Sequence, residues 1–85
     1  MYLHLGGDAA VAEKDIISIH DYAIFHRTEN REFMRQLEAS GDLVQLADKE
    51  PKSLVITVNK AYLSAISSVT LRRRAGMVFD IDDKY

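Results

Sequence analysis

Cysteine is absent from the 85-residue sequence, and proline occurs once. Without cysteine the chain has no disulfides, no thiolate metal sites and no cysteine nucleophiles, and this fits a reducing compartment. No apolar run approaches the roughly 18 residues that span a bilayer, and the opening MYLHLGGD lacks the basic and apolar regions of a signal peptide. We therefore expect a cytoplasmic protein that does not bind membranes.

The three histidines, His4, His20 and His26, lack the spacing that metal binding or catalysis needs. None has a histidine partner at i,i+4 on a helix or a carboxylate at the spacing of a metal site. Ser18, His20 and Asp21 are the residue types of a hydrolytic triad, but alternation along a strand places His20 and Asp21 on opposite faces. We expect structural or exposed histidines.

Phosphate-binding and calcium-binding motifs are missing as well. Gly6-Gly7 lacks the G-x-x-x-x-G-K-[ST] pattern and the following helix of a phosphate loop, and it predicts a tight turn. Asp80, Asp82 and Asp83 lack the glycine and the distal glutamate of an EF-hand. The sequence thus predicts a protein without enzymatic activity, metal or cofactor.

The short length limits the stability that one core provides. A chain of 85 residues buries only about 60–65% of the surface that its unfolded form exposes. Small domains commonly compensate with cross-links or by self-association, and the lack of cysteine leaves self-association. We expect a single domain over residues 1–85 that forms a homo-oligomer.

Charge is distributed unevenly along the chain, although the net charge is only −2. Residues 1–51 contain ten acids and five bases, whereas residues 52–75 contain five bases and no acid. A basic block between acidic ones suggests a charged partner. The acidic tail, 76–85, also contains Phe79 and Ile81, so we expect it to dock on the core or on a neighbouring subunit.

The hydrophobic pattern predicts an α+β fold: a small antiparallel β-sheet with one main helix and a short C-terminal helix, in the order β-β-β-α-β-β-β-α. The predicted strands are Tyr2–Leu5, Ala9–Ala12, Asp15–Ala23, Asp42–Ala47, Ser53–Val58 and Ala61–Ala65. The predicted helices run from Thr28 to about Ser40 and from Ser67 or Ser68 to Arg74.

Local signals add three expectations. Gly41 should end the main helix. Phe33, Met34 and Leu37 should form the buried side of that helix. Asn59-Lys60 fits a two-residue type I′ turn between the last two strands.

Two groups of arginines lie on the predicted helices. Arg27, Arg31 and Arg35 recur at helical spacing, which is more typical of a solvated face than of a binding site. Arg72-Arg73-Arg74 fall in an exposed last turn, where Arg73 points directly away from the packed face. These three arginines could bind phosphates or the carboxylates of a partner. Alternatively, they complement the helix dipole, and the residues alone leave both interpretations open.

Four segments of the chain carry a family resemblance: YLHLGGD, DIISI, PKSLVITVNKAYLSAISSVTLRRRA and MVFDID. They resemble the RemA/RemB family of extracellular-matrix regulators of Firmicutes, over nearly the whole chain and most specifically between Pro51 and Arg74. The resemblance implies a regulator of biofilm matrix genes that assembles as a ring and contacts DNA phosphates. Many weak contacts, summed over subunits, would let a mildly acidic chain bind DNA.

The chain departs from the family pattern at two positions. The family's arginine-rich turn corresponds to Asp48–Lys52, where Glu50 replaces a base, and Asp15 occupies a further basic position. The candidate DNA-binding residues are Lys49, Lys52, Arg72, Arg73 and Arg74. Alternatively, the chain is an interaction module that partners a RemA-like paralogue without binding DNA, which the two acids favour.

Overall fold

The computed structural model describes residues 1–25 and 30–76, in which it contains six strands, three α-helices and a 3-10 turn, Glu13–Asp15. The strands are β1 Tyr2–Gly6, β2 Ala9–Ala12, β3 Ile16–Asp21, β4 Leu43–Gln45, β5 Ser53–Thr57 and β6 Ala61–Ser64. The helices are α1 Tyr22–Phe25, α2 Arg31–Ser40 and α3 Ser68–Arg74. The predicted α+β fold and order are confirmed, with α1 and the 3-10 turn as additions.

The main sheet has the strand order β3-β5-β6-β4, and β1 and β2 form a separate hairpin. The apolar strand β5 is central, as its sequence indicates, and pairs antiparallel with both β3 and β6. β4 pairs parallel with β6, with Leu43 opposite Ala61, so the sheet is not antiparallel throughout. Local periodicity does not reveal this pairing, because a parallel pair depends on the path of the chain between the two strands.

The β1–β2 hairpin and α3 cover one face of the main sheet. Alternation along β5 points Val55 to this face and Leu54 to the other. The buried cluster on this face combines side chains from four elements: Leu3, Leu5, Ile19, Val55 and Leu71. The first strand and the last helix of the described residues therefore share one core.

Helix α2 covers the opposite face less completely. The buried residues there are Leu54, Ala61 and Leu63. Helix α2 contributes only the half-buried Met34 and Leu37, and the other partly buried neighbours belong to other elements. Phe33 is 39% exposed, so the predicted buried side of α2 is wrong for this residue. In helical projection Leu37 lies between Phe33 and Met34. The contact of α2 with the sheet centres on Met34 and Leu37, so Phe33 lies at its edge.

The boundaries of β3 and of the helices differ in part from the predicted ones. β3 ends at Asp21, because the Asp21 Oδ1 accepts the Ala23 N–H at 2.9 Å, and such a local bond favours a turn over an extended strand. Gly41 ends α2 as predicted, with a φ of 81°. The predicted helix start at Thr28 and residues 77–85 of the tail lie outside the described residues.

The turn between β5 and β6 is not of type I′. That type needs positive φ at both central residues, and within the described residues no non-glycine residue has positive φ. Instead, the Thr57 Oγ1 accepts the N–H groups of Asn59 and Lys60 at 3.3 and 3.0 Å and donates to the Lys60 carbonyl at 2.8 Å. The threonine hydroxyl therefore organises the turn.

Two buried serines connect the main sheet to the elements on its first face. Ser53 and Ser64 lie opposite each other in the β5–β6 ladder and are fully buried. The Ser64 Oγ donates to the Leu5 carbonyl at 2.6 Å and accepts the Ile66 N–H at 3.0 Å. The Ser53 Oγ donates to the Ile66 carbonyl at 2.7 Å. The pair thus fixes β1 and the connection that leads to α3.

Ser64→Ala is expected to lower the free energy of unfolding by about 1–3 kcal/mol, because the buried Leu5 carbonyl loses its donor. Urea unfolding followed by circular dichroism measures this change. Ser40→Ala removes an exposed hydroxyl and should change the free energy by less than about 0.5 kcal/mol. Equal midpoints for the two variants would show that the Ser64 bond does not hold β1 in place.

Candidate nucleic-acid interface

Helix α3 carries the arginine triplet. The Ser67 Oγ accepts the Thr70 N–H at 3.2 Å, which confirms a serine cap and makes Ser68 the first helical residue. Leu71 is fully buried and fixes the packed face of the helix. Successive helical residues are about 100° apart, so the arginines that follow Leu71 point in three different directions.

Arg72 is half-buried and anchors the helix to the sheet. Its Nη2 donates to the backbone carbonyl of Ile19 at 2.7 Å, and Ile19 belongs to β3, an edge strand of the main sheet. The expectation that all three arginines lie in an exposed turn is therefore wrong for Arg72. Arg73 and Arg74 are exposed and, within the described residues, form no ion pair.

His20 follows Ile19 on β3 and is also half-buried. Its Nε2 lies 2.8 Å from the Ser18 Oγ. Burial of the imidazole lowers the pKa of His20 below its ordinary value of about 6.5, and the nearby Arg72 cation lowers it further.

Lys52 lies beside the first turn of α3. Its backbone is fixed on both sides, because its N–H donates to the Ser64 carbonyl at 2.8 Å and its carbonyl accepts the Tyr22 N–H at 3.1 Å. Its side chain is exposed and lines an open cavity of about 330 Å³ that also includes Val69. Val69 and Arg73 are one helical turn, about 6 Å, apart on the same side of α3, so Lys52 and Arg73 share a flank of the domain.

Acidic residues lie close to Lys52. Glu50 and Asp21 line the same cavity, and Asp21 is a neighbour that the sequence pattern did not indicate. Lys49 is exposed in the bend just before Glu50. Asp15 lies at the other end of β5, where its carbonyl accepts the Val58 N–H at 3.0 Å. The two acids that depart from the family pattern are therefore far apart and do not form one acidic patch.

Other kinds of site find little support. Arg35 pairs with Glu32 on α2, as expected of a solvated face, and Arg27 lies outside the described residues. Within residues 1–25 and 30–76, no group of three or more acids or histidines could hold a metal ion. Over the same part of the chain, no helix has the length and apolar character to cross a membrane.

Comparison with known proteins defines the class of this chain. Residues 2–75 match the RemA-like family, described as extracellular matrix regulatory protein A-like, and the chain belongs to this family of regulators. Over 82 residues it is 38% identical to extracellular matrix regulatory protein B of Bacillus subtilis (strain 168). The aligned region covers 96% of this chain and 99% of that relative. The resemblance inferred from the four sequence segments is confirmed.

Arg72→Ala should lower the free energy of unfolding by about 1–2 kcal/mol, because the Ile19 carbonyl loses a charged donor. Arg73→Ala is the matched control, since it removes the same side chain from an exposed position, and it should change stability by less than about 0.5 kcal/mol. Thermal and urea unfolding measure both variants. Equal losses would contradict the anchoring role of Arg72.

The pKa of His20 also predicts how stability changes with pH. The unfolded histidine binds a proton near pH 6.5, whereas folded His20 stays neutral to a lower pH. Between these two values the unfolded state binds more protons, so the free energy of unfolding falls as pH falls. The loss of stability that is due to His20 is complete once the pH is below the pKa of the folded residue.

Urea unfolding is measured at several values from about pH 7.5 down to about pH 5. His20→Gln should flatten the profile below about pH 6.5 relative to the parent protein. An NMR titration of the His20 ring gives its pKa directly. Parallel profiles for the parent and the variant would rule out the contribution of His20.

Proposed function

We propose that this protein is a cytoplasmic, non-enzymatic regulator of extracellular-matrix gene expression that binds the phosphate backbone of DNA as a homo-oligomer. The observation that carries the proposal is the pair Arg73 and Arg74, which are exposed and form no ion pair within the described residues. The likeness to extracellular matrix regulatory protein B supports the regulatory role.

Contact with phosphates fits this flank better than contact with base edges. Lys52 and Arg73 place positive charge along one side of α3, where guanidinium and ammonium groups can meet phosphate oxygens. The helix has the sequence SVTLRRR and offers no asparagine or glutamine to read adenine. Phosphate contacts carry no sequence information, so selectivity would come from the shape and bending of the DNA.

Assembly would supply enough contacts. One copy carries a net charge of −2 and only four exposed candidates, Lys49, Lys52, Arg73 and Arg74. A ring or other oligomer repeats these side chains along one DNA molecule, and linked weak contacts add up to a much higher affinity. Several large apolar side chains are mostly exposed and available to an interface between subunits, among them Tyr2, Ile17 and Val69.

An interaction module that partners a RemA-like paralogue without touching DNA is the second candidate function. It is supported by Glu50 and Asp21, which share a cavity with Lys52. These carboxylates offset the charge of the lysine and repel phosphates. In this role the arginines of α3 would bind carboxylates of the partner.

Replacing Arg73 and Arg74 together with alanine should weaken DNA binding several-fold, because every subunit loses phosphate contacts. The slope of log affinity against log salt concentration should also become shallower. Glu50→Arg should strengthen binding, since it replaces a repelling carboxylate beside Lys52 with a cation. Fluorescence anisotropy with a labelled duplex at several salt concentrations measures the affinity of each variant and the salt dependence of binding.

The matched control is the double variant Lys14→Ala and Lys60→Ala. It removes the same charge from exposed positions in the 3-10 turn and in the β5–β6 turn, and the affinity should change little. Equal weakening by the two double variants would mean that net charge, and not the α3 flank, determines binding. If the parent does not bind even at about 50 mM salt, the interaction module replaces the DNA-binding proposal.

A further inference from the structure

The two edges of the main sheet differ in how they are protected. β3 forms one edge and β4 the other. The β3 edge is poorly suited to a further strand, because its register shifts between Ile16 and Ser18 and the Arg72 side chain binds the carbonyl of Ile19. Bulges and covering side chains are common ways of blocking an edge. β4, in contrast, pairs with β6 in a regular register.

The outward backbone groups of β4 belong to Leu43 and Gln45. On either side of these residues, the Asp42 carbonyl and the Leu46 N–H each bond to β6 at 2.9 Å. In a parallel ladder alternate residues bond to the same neighbouring strand, so Leu43 and Gln45 direct their N–H and C=O groups away from β6. Within the part of the chain that the structure describes, no backbone partner meets these groups. β4 can therefore pair with one more strand.

A groove of about 610 Å³ runs along this edge, between α2 and the main sheet. It lies on the face opposite α3. Its apolar lining comes from three elements: Met34 of α2, Leu43 of β4 and Leu63 of β6. A groove between a helix and a free strand edge suits an extended peptide, because the edge supplies main-chain hydrogen bonds and the groove receives alternate side chains.

Charges along the α2 wall of this groove follow a definite order. Arg31, Met34 and Glu38 line the groove and, at i, i+3 and i+7, lie on one side of the helix. Arg31 and Glu38 form no ion pair within the described residues, whereas Arg35 pairs with Glu32. The wall thus has a cation at one end, an apolar side chain in the middle and an anion at the other end.

We propose that β4 and this groove bind an extended segment of another protein, in which a base, an apolar residue and an acid occupy alternate positions. Alternate residues of a strand lie about 6–7 Å apart on one face. On α2 the rise is about 6 Å from Glu38 to Met34 and about 5 Å from Met34 to Arg31. The base, the apolar side chain and the acid therefore meet these three residues in turn.

The path of the chain determines how the segment lies along β4. α2 ends at Ser40 and β4 begins at Leu43, so the Glu38 end of the helix adjoins the Leu43 end of the strand. The base of the segment then lies beside Leu43, and its acid lies beside Gln45. Since the groove is on the face opposite α3, a bound segment leaves the proposed phosphate-binding flank accessible.

A second copy of the chain does not supply a segment of this pattern. In the whole sequence no lysine, arginine or histidine lies four residues from an acid, in either direction, with an apolar side chain midway. The pairs that have this spacing, such as Asp48 and Lys52, have a glycine or an acid midway. The segment that fits the groove therefore belongs to a different protein.

A synthetic peptide tests the pattern on the full chain. The probe is Lys-Thr-Leu-Thr-Glu with a fluorescent label and blocked ends, which remove the terminal charges. The control peptide, Thr-Lys-Leu-Glu-Thr, has the same composition but places both charges on the strand face opposite the leucine. Fluorescence anisotropy should show several-fold tighter binding of the first peptide. Equal binding of the two peptides, or no binding of the first, would overturn the proposal.

Two substitutions of Gln45 test the pairing with β4. Gln45→Pro removes the outward N–H, and proline is tolerated in an edge strand when its N–H side faces solvent. Gln45→Ala is the matched control, because it loses the same side chain and its bond to the Ala47 N–H but keeps the backbone donor. The proline variant should bind the peptide several-fold more weakly than the alanine variant. Equal affinities in two folded variants would contradict strand addition.

A charge exchange tests the groove wall and does not depend on the folding of the proline variant. Glu38 is exposed on α2, so Glu38→Lys should leave the domain folded, as circular dichroism checks. This variant should bind the peptide several-fold more weakly than the parent. A peptide with glutamate in place of its lysine should bind the variant more tightly than it binds the parent. Without this reversal of preference the proposed contact at Glu38 is wrong.

Amide hydrogen exchange shows whether the edge is open before the peptide arrives. The amides of Leu43 and Gln45 should exchange rapidly in the free protein and several-fold more slowly with saturating peptide, because the new strand pairs with them. Amides that are already protected in the free protein would show that the chain itself, or a second copy, occupies the edge. That result would overturn the proposal.

Discussion

The paired hydroxyls of Ser53 and Ser64 are the contact on which the arrangement of the molecule depends. They lie on the face of β5 and β6 that receives the β1–β2 hairpin and α3, and their partners are the backbone of Leu5 and Ile66. Buried backbone groups must find hydrogen-bond partners, and here the sheet supplies them to segments that approach it from both ends of the sequence. Apolar packing against Leu71 would hold α3 to the sheet without fixing its position, whereas these bonds fix where the helix begins. The two serines thus help to place the helix that carries the arginine triplet.

The two faces of the sheet are covered to different extents. One face receives the hairpin and α3 and forms the larger buried cluster. The other receives a single helix that contacts the sheet through Met34 and Leu37 and leaves a groove beside it. A domain of this size buries a limited fraction of its surface, and here the second face is the less completely covered one.

Features that depend on local chemistry could be predicted from the sequence, and features that depend on distant contacts could not. The strand β5, the helix stop at Gly41 and the serine cap of α3 follow from side-chain branching, positive φ and hydroxyl geometry. The parallel pairing of β4, in contrast, depends on the path of the chain. In the candidate site, the exposure of Arg73 follows from helical period, but the role of Arg72 depends on a carbonyl 53 residues away. Family resemblance supplied the class of protein, which the pattern of residues alone left open.

Three consecutive arginines divide between structure and binding because a helix turns by about 100° per residue. Arg72 fixes α3 to β3, and this contact sets the direction in which Arg73 and Arg74 point. In the proposed oligomer, DNA binding and assembly are linked. Linkage then requires that each affects the other equally: if assembly strengthens DNA binding by presenting more arginines, DNA must strengthen assembly by the same factor. Such reciprocity would let a small, weakly charged subunit remain inactive when dilute and bind cooperatively once several copies share one stretch of DNA.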